Sequence, residues 1–200
     1  MATLSESSIA DLLQPYLIVP ASILPQLSTY LDLLLKWNAR TNLTAIRDPE
    51  EIVRRHFGES LFAARHLDPK IPTLLDLGSG AGFPGLPIAI LCPEIQATLA
   101  ESQNKKASFL REVIRTLGLS TEVWANRAEL LPSTRQFDTV TLRAVDDMAA
   151  AVTAAASRAI RQVVVLTSEA NAPVLSDFPD QSRISIPESR DRILLTASRH

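Results

Sequence analysis

Cysteine is nearly absent. Cys92 stands alone in 200 residues, so an internal disulfide and a cysteine cluster for structural zinc are both excluded. Neither sign of charge dominates: 20 Lys plus Arg against 22 Asp plus Glu leave a net charge of −2, which argues against a strongly basic nucleic-acid coat but allows local basic patches. The longest uncharged alanine-rich stretch, Met148 to Ser157, falls far short of the roughly 20 apolar residues that span a bilayer. Met1 to Ser8 lacks the basic-then-apolar pattern of an export signal. His56 and His66 have neither the spacing nor the company of a metal-ligand set. These absences lead to an expectation of a cytoplasmic protein with no membrane contact and no metal. What is present, 46% hydrophobic residues, suffices for the core of about one domain.

Leu24, Leu27, Leu31, Leu34 and Leu35 recur at three- and four-residue steps, the pattern of an amphipathic helix that Ser22 can cap and that ends near Trp37 or Asn38. Asp48, followed by Pro49, Glu50 and Glu51, is a cap, a helix-compatible proline and two first-turn acids, so a second helix is expected through Arg54 and Phe57. After Pro72 the pattern changes to short apolar runs alternating with helical stretches, which signals parallel strands and crossover helices. The runs are Thr73 to Leu77, Ala97 to Ala100, Glu122 to Ala125, Asp138 to Leu142 and Gln162 to Thr167, with Arg183 to Ile186 and Arg192 to Thr196 as closing strands. Gln103 to Leu117, ended by Gly118, and Asp146 to Ile160 read as helices. The expected fold is therefore α/β, a seven-stranded, mostly parallel sheet flanked by helices. An N-terminal helical extension over residues 1–70 packs on a core of residues 71–200.

Four of the six glycines fall in Asp76-Leu-Gly78-Ser-Gly80-Ala-Gly82-Phe83-Pro-Gly85, directly after an apolar strand and before the apolar run Leu86 to Cys92. Glycine permits positive φ and lets a ligand approach where a Cβ would collide. Gly80 to Gly85 alone satisfies the G-x-G-x-x-G dinucleotide pattern, so NAD competes with S-adenosyl-L-methionine. Asp76 favours the latter, because an acid at the strand end can pair with the cationic end of such a cofactor, directly or through water, and would repel a pyrophosphate. Glu101 ends the second strand, where an acid accepts hydrogen bonds from ribose hydroxyls. Asn126-Arg127-Ala128-Glu129 follows the third strand and can bracket an adenine. Arg143 ends the fourth, facing the ligand crevice of an open sheet, where substrate, cofactor carboxylate or Asp146 are its candidate partners. Lys105, Lys106, Arg111 and Arg115 form a basic helix face that, with Arg40, Arg47, Arg54 and Arg55, can track phosphates. Cys92 and Ser79 carry no nucleophile signature.

These residues resemble the RsmG family, formerly GidB, of bacterial 16S ribosomal RNA guanine-N7 methyltransferases. The likeness runs through Trp37-Asn38, Asn42-Leu43-Thr44-Ala45-Ile46, Arg55-His56-Phe57, Glu59-Ser60-Leu61, the glycine segment from Leu75 to Pro87, Glu101-Ser102, Lys105-Lys106, Phe109-Leu110, Arg127-Ala128-Glu129 and Arg143-Ala144. It departs at Glu59, where the family commonly has Asp, and around the fifth strand. There Arg161-Gln162 replaces a glycine turn, and no Lys-Gly follows.

The resemblance implies a Rossmann-like class I S-adenosyl-L-methionine-dependent methyltransferase fold. It also implies methyl transfer to N7 of a guanine, position 527 in the 530 loop of 16S rRNA. It carries cofactor binding to Gly78, Phe83, Ala128, Glu129 and Arg143, to which the reading of the residues adds Asp76, Gly80, Gly82 and Glu101. Arg143 is the one candidate catalytic residue, placed at the junction with substrate. N7 carries a lone pair and no proton, so no general base is expected. The expected partner is 16S rRNA in the small subunit or an assembly intermediate, bound by a monomer. Two alternatives remain, an NAD-dependent oxidoreductase using the same glycine loop and a catalytically silent cofactor- or RNA-binding protein.

Overall fold

The structure is a computed structural model that describes residues 3–144 and 147–199. A short helix α1 (Glu6–Leu13), capped by the Ser5 hydroxyl, leads to α2 (Leu24–Asn38). Leu24, Leu27, Leu31 and Leu34 bury one face of α2, as their spacing requires. Ser22 does not cap it: a 3-10 turn over Ala21–Ile23 precedes the helix, and Pro25, which has no N–H, stands in its first turn and leaves one donor fewer to satisfy. Asp48 does cap the next helix, accepting from the Glu51 amide at 2.8 Å. That helix starts as α3 (Pro49–Ile52), widens into a π-type turn over Val53–Gly58, and continues as α4 (Glu59–Ala64). Gly58 lies so close to Tyr16 that a Cβ would approach its ring to 2.6 Å, which pins the wide turn against the segment after α1.

The sheet comprises β1 (Thr73–Leu77), β2 (Gln96–Ala100), β3 (Glu122–Trp124), β4 (Phe137–Arg143), β5 (Ala159–Ser168), β6 (Asp180–Ser185) and β7 (Arg192–Ser198). Its order is β3-β2-β1-β4-β5-β7-β6, with β1 to β5 parallel and β7 antiparallel to both its neighbours. The crossover helices are α5 (Gly85–Leu91), α6 (Asn104–Leu117) and α7 (Met148–Arg158). Gly118 ends α6 at φ +66°, and Asp147 caps α7; Asp146 lies outside the described residues. Strand β5 outruns its apolar run at both ends because it pairs with β4 on one side and β7 on the other. The exposed edge strand β6 is polar, which discourages pairing with further chains.

Alternation along β1 sends Leu75 and Leu77 to the α7 side and Leu74 to the α5 side. A further cluster unites Leu27, Tyr30, Leu31 and Leu34 of α2 with Phe57, Phe83, Leu86 and Phe109. The N-terminal helices thus share apolar core with the glycine segment and α6. Because β1 has β2 on one side and β4 on the other, chain direction diverges between β1 and β4, and a crevice opens at their carboxyl ends.

Candidate active site

Two cavities open at this crevice. The larger, about 430 Å³, is walled by Leu43, Thr44, Arg55, His56, Gly78 to Ala81, Phe83, Glu101 to Gln103, Lys106, Arg143, Ala144 and Arg192. The smaller, about 250 Å³, is walled by Asn126 to Glu129 together with residues of the β1 and β2 ends and of α7. Gly78, Glu101 and Ser102 belong to both.

The glycine turn owes its course to positive φ at Gly78 (+74°), Gly80 (+57°) and Gly82 (+96°). A Cβ on Gly80 would meet no protein atom closer than 3.9 Å, so at that point the turn presents bare backbone to open space. Gly82 serves packing instead: its Cβ would lie 2.4 Å from Leu86 and 2.6 Å from the Tyr30 hydroxyl, and it lines neither cavity. Tyr30 holds the turn from below by donating to the Ala81 carbonyl at 2.5 Å. Burial pushes the Tyr30 phenol well above its ordinary value, so it remains a donor. Phe83 stacks between Tyr30, with centroids 5.3 Å apart, and His56, 4.8 Å apart.

Asp76 has partners that its place in the sequence did not reveal. Its carboxylate is fully buried beneath α5, accepting from the Gly85 amide at 3.2 Å and from the Thr141 hydroxyl at 2.8 Å, and it lines neither cavity. Burial raises its pKa to about 6 against the pull of those hydrogen bonds. The physical reason is strand alternation: Asp76 follows Leu74 onto the α5 face. The same contact fills the start of α5. Gly85 N–H goes to Asp76, Leu86 N–H to the Gly82 carbonyl and Ile88 N–H to the Pro84 carbonyl, while Pro87 has none. No amide of that first turn is free for a pyrophosphate.

Glu101 stands at the junction of the two cavities. One carboxylate oxygen accepts the Gly80 amide at 2.9 Å and the other the Gln103 amide at 2.7 Å, which leaves further lone pairs for hydroxyl donors. Ala128 and Glu129 form part of the smaller cavity as expected from their place after β3. Of the basic face on α6, only Lys106 reaches a cavity wall.

Arg143 lies at the end of β4 with its side chain 9% exposed. It donates to Glu59 at 3.1 Å and to the Arg55 carbonyl at 2.9 Å, while its Nε finds no hydrogen-bond partner. Burial lowers its pKa to about 10, so it remains charged at neutral pH. Sequence reasoning missed three of its neighbours. Glu59, 2% exposed, also lies 2.8 Å from Nε of Arg192, at an angle that makes the contact an ion pair rather than a directed hydrogen bond. Its signal was an acid inside the apolar run Glu59-Ser-Leu-Phe-Ala-Ala, where burial demands a partner. Arg192 starts β7 and left no local trace. His56, set aside as a metal ligand, bonds the Thr44 hydroxyl through Nε2 at 2.7 Å, and its Nδ1 is buried without a partner. Burial, then Arg143, Arg55 and Arg192, hold its pKa well below the usual value, so the ring is neutral. Thr44 is placed by Asn38, whose side-chain Oδ1 accepts the Leu43 and Thr44 amides at 2.8 and 3.0 Å. Among the described residues no cluster of three His, Cys, Asp or Glu could hold a metal, and no helix is long and apolar enough to cross a membrane.

The family described as GidB, rRNA small subunit methyltransferase G, matches residues 23–172. Ribosomal RNA small subunit methyltransferase G of Xylella fastidiosa (strain M23) is 50% identical over 134 residues, 66% of this chain and 62% of that protein. The protein of the same name from Stenotrophomonas maltophilia (strain K279a) is 47% identical over 135 residues, again 66% and 62%. Among solved structures, the T. thermophilus 16S rRNA N2 G1207 methyltransferase in complex with AdoMet and guanosine matches with a TM-score of 0.61 and 19% identity, over 73% of this chain and 43% of that one. A putative O-methyltransferase from Klebsiella pneumoniae gives 0.60 and 16%, over 86% and 90%. These likenesses show the fold, the Rossmann-like fold of class I S-adenosyl-L-methionine-dependent methyltransferases.

Proposed function

This chain belongs to the rRNA small subunit methyltransferase G family, and from that premise we propose that it transfers a methyl group from S-adenosyl-L-methionine to N7 of a guanine in the 530 loop of 16S rRNA. The substrate is the small ribosomal subunit or an assembly intermediate, and the enzyme works as a cytoplasmic monomer. Because the aligned region spans 62% of the curated relatives' length, activity, substrate and partner are all part of this proposal.

The observation that carries it is the position of Glu101, fixed by two amides at the meeting point of two cavities. That arrangement suits an elongated ligand with a ribose in its middle. The fit extends to Gly80, where a side chain would project into open space, and to the unpartnered Nε of Arg143. When bound, the cofactor supplies an electrophilic methyl on a sulfonium. Backbone at Gly78 and Gly80 would hold its methionine end, Glu101 would accept from the ribose hydroxyls, and Ala128 and Glu129 would hold the adenine. Phe83, on the wall of the same cavity, would join Gly78 and Gly80 in holding the cofactor, and Arg143 would stand at the junction with substrate.

Guanine N7 offers its lone pair without losing a proton, so the chain needs no base. Asp76 is locked under α5 and the neutral His56 acts as wall rather than as proton shuttle. Rate enhancement then comes from alignment and exclusion of water. N7 lies on the major-groove edge, too deep in A-form RNA for side chains, so a loop guanine is the reachable target. The filled start of α5 speaks against the NAD-dependent oxidoreductase. Mapping N7-methylguanine in 16S rRNA from cells with and without the protein tests the proposal, and identical maps refute it. Tritium transfer to hypomethylated small subunits separates the enzyme from a silent binding protein.

A further inference from the structure

Three charged side chains from three distant parts of the chain meet beside the larger cavity: Glu59 from α4, Arg143 from the end of β4 and Arg192 from the start of β7. Their exposures are 2%, 9% and 19%. Glu59 is the only anion in contact with either guanidinium among the described residues. One carboxylate against two guanidiniums leaves a surplus of one positive charge; along the cavity wall Lys106 is set against Glu101, the single carboxylate there, and Arg55 is paired with Glu51 at 3.5 Å, so the surplus remains. Such a surplus attracts phosphates but opposes a sulfonium donor, whose positive charge moves to the guanine ring as the methyl transfers. A buried ion pair is weak evidence of net stabilisation, so what Glu59 orients is the more informative property.

We propose that Glu59 is a positioning residue that holds Arg143 and Arg192 at the cavity wall and keeps the local charge low enough for a sulfonium to bind beside them. This rests on the methyltransferase reading above and deepens it, because it gives the two arginines a partner that decides which charge state of the ligand is preferred.

S-adenosylmethionine and S-adenosylhomocysteine separate charge from shape, since the second lacks only the methyl and its positive charge. Both are titrated calorimetrically into the full chain. At an effective dielectric of about 20, loss of one nearby unit of charge shifts the affinity of a bound cation about tenfold. Glu59→Gln should therefore weaken S-adenosylmethionine about tenfold relative to S-adenosylhomocysteine. Arg192→Gln should shift the ratio the other way, and Glu59→Gln combined with Arg192→Gln should return it near the parent value. A residue that only supported the fold would weaken both ligands alike. If Glu59→Gln does not fold, Arg192→Gln and the double variant carry the same comparison. An unchanged ratio in a parent and variants that bind both ligands overturns the proposal alone. A parent that binds neither overturns the methyltransferase reading and this inference with it.

Discussion

The Asp76 carboxylate lies 3.2 Å from the Gly85 amide nitrogen, so the acid that opens the glycine segment caps the helix that closes it. The cap is held in a fully buried place, and burial raises its pKa from the ordinary 3.8 to about 6. A raised acid binds its proton more tightly in the folded state, so its contribution to stability is greatest below about pH 4 and is lost as pH rises toward 6. Above that range the charged form costs on the order of 2–3 kcal/mol.

Asp76→Asn should therefore be more stable than the parent at pH 7.5, with the advantage vanishing near pH 4. Asparagine can still accept the Gly85 N–H and donate to the Thr141 hydroxyl. Thermal unfolding followed across this pH range checks it. Binding of S-adenosylmethionine should change by less than about threefold, because the carboxylate lines neither cavity. A large loss of affinity would restore the contact, direct or through water, that the sequence alone suggested.

Two glycines of the same segment should fail in opposite ways. At Gly85 a Cβ would lie 2.4 Å from Leu99 and 2.7 Å from the Asp76 carboxylate, so Gly85→Ala should destabilise the fold by about 1–3 kcal/mol through overpacking. At Gly80 the protein leaves room, and Gly80→Ala should cost about 1–2 kcal/mol for a left-handed conformation. That smaller loss should be accompanied by loss of most of the cofactor affinity, because the new methyl projects into the space of the larger cavity that the cofactor would fill. Denaturant melts and calorimetric titration, run on both variants, separate the two effects.

Local signals made much of this legible. The run Thr73 to Leu77 is β1 to the residue, Asp48 caps where its Pro-Glu-Glu sequel implied, and Gly118 ends α6. The glycine spacing located the turn, and the strand ends located Glu101 and Arg143. Strand alternation, applied to Leu74 and Asp76, would also have turned the Asp76 carboxylate toward α5. What stayed hidden depends on chain crossings that no window of sequence contains. Glu59 and Arg143 are 84 positions apart, and nothing near Arg192 announces that β7 would place it beside them. His56 looked like a stray polar residue because its stacking on Phe83 and its bond to Thr44 depend on how the helix lies over the turn.

Arg143→Ala should reduce methyl transfer about 100-fold, the scale expected when a reacting pair loses its alignment. The fold should survive, because Glu59 keeps its contact with Arg192 and is not left as an unpaired buried charge. Single-turnover kinetics alongside circular dichroism test both halves. Full activity in a folded variant would remove Arg143 from the site.

His56 gives the pH dependence its second component, with the opposite sign to Asp76. A histidine held neutral in the fold gains a proton on unfolding, so its contribution to stability is present above about pH 6.5 and is lost as pH falls below that value. The cause is burial first and the Arg143, Arg55 and Arg192 charges after it. His56→Asn should flatten the fall in stability on acidification below pH 6.5, leaving the opposing rise from Asp76 protonation exposed in the curve. Urea titrations of parent and variant between pH 7.5 and 5 measure the difference directly. If the two curves stay parallel, the ring titrates in the folded protein as it does in the unfolded chain, and His56 is not the neutral wall beside which a cationic donor is seated.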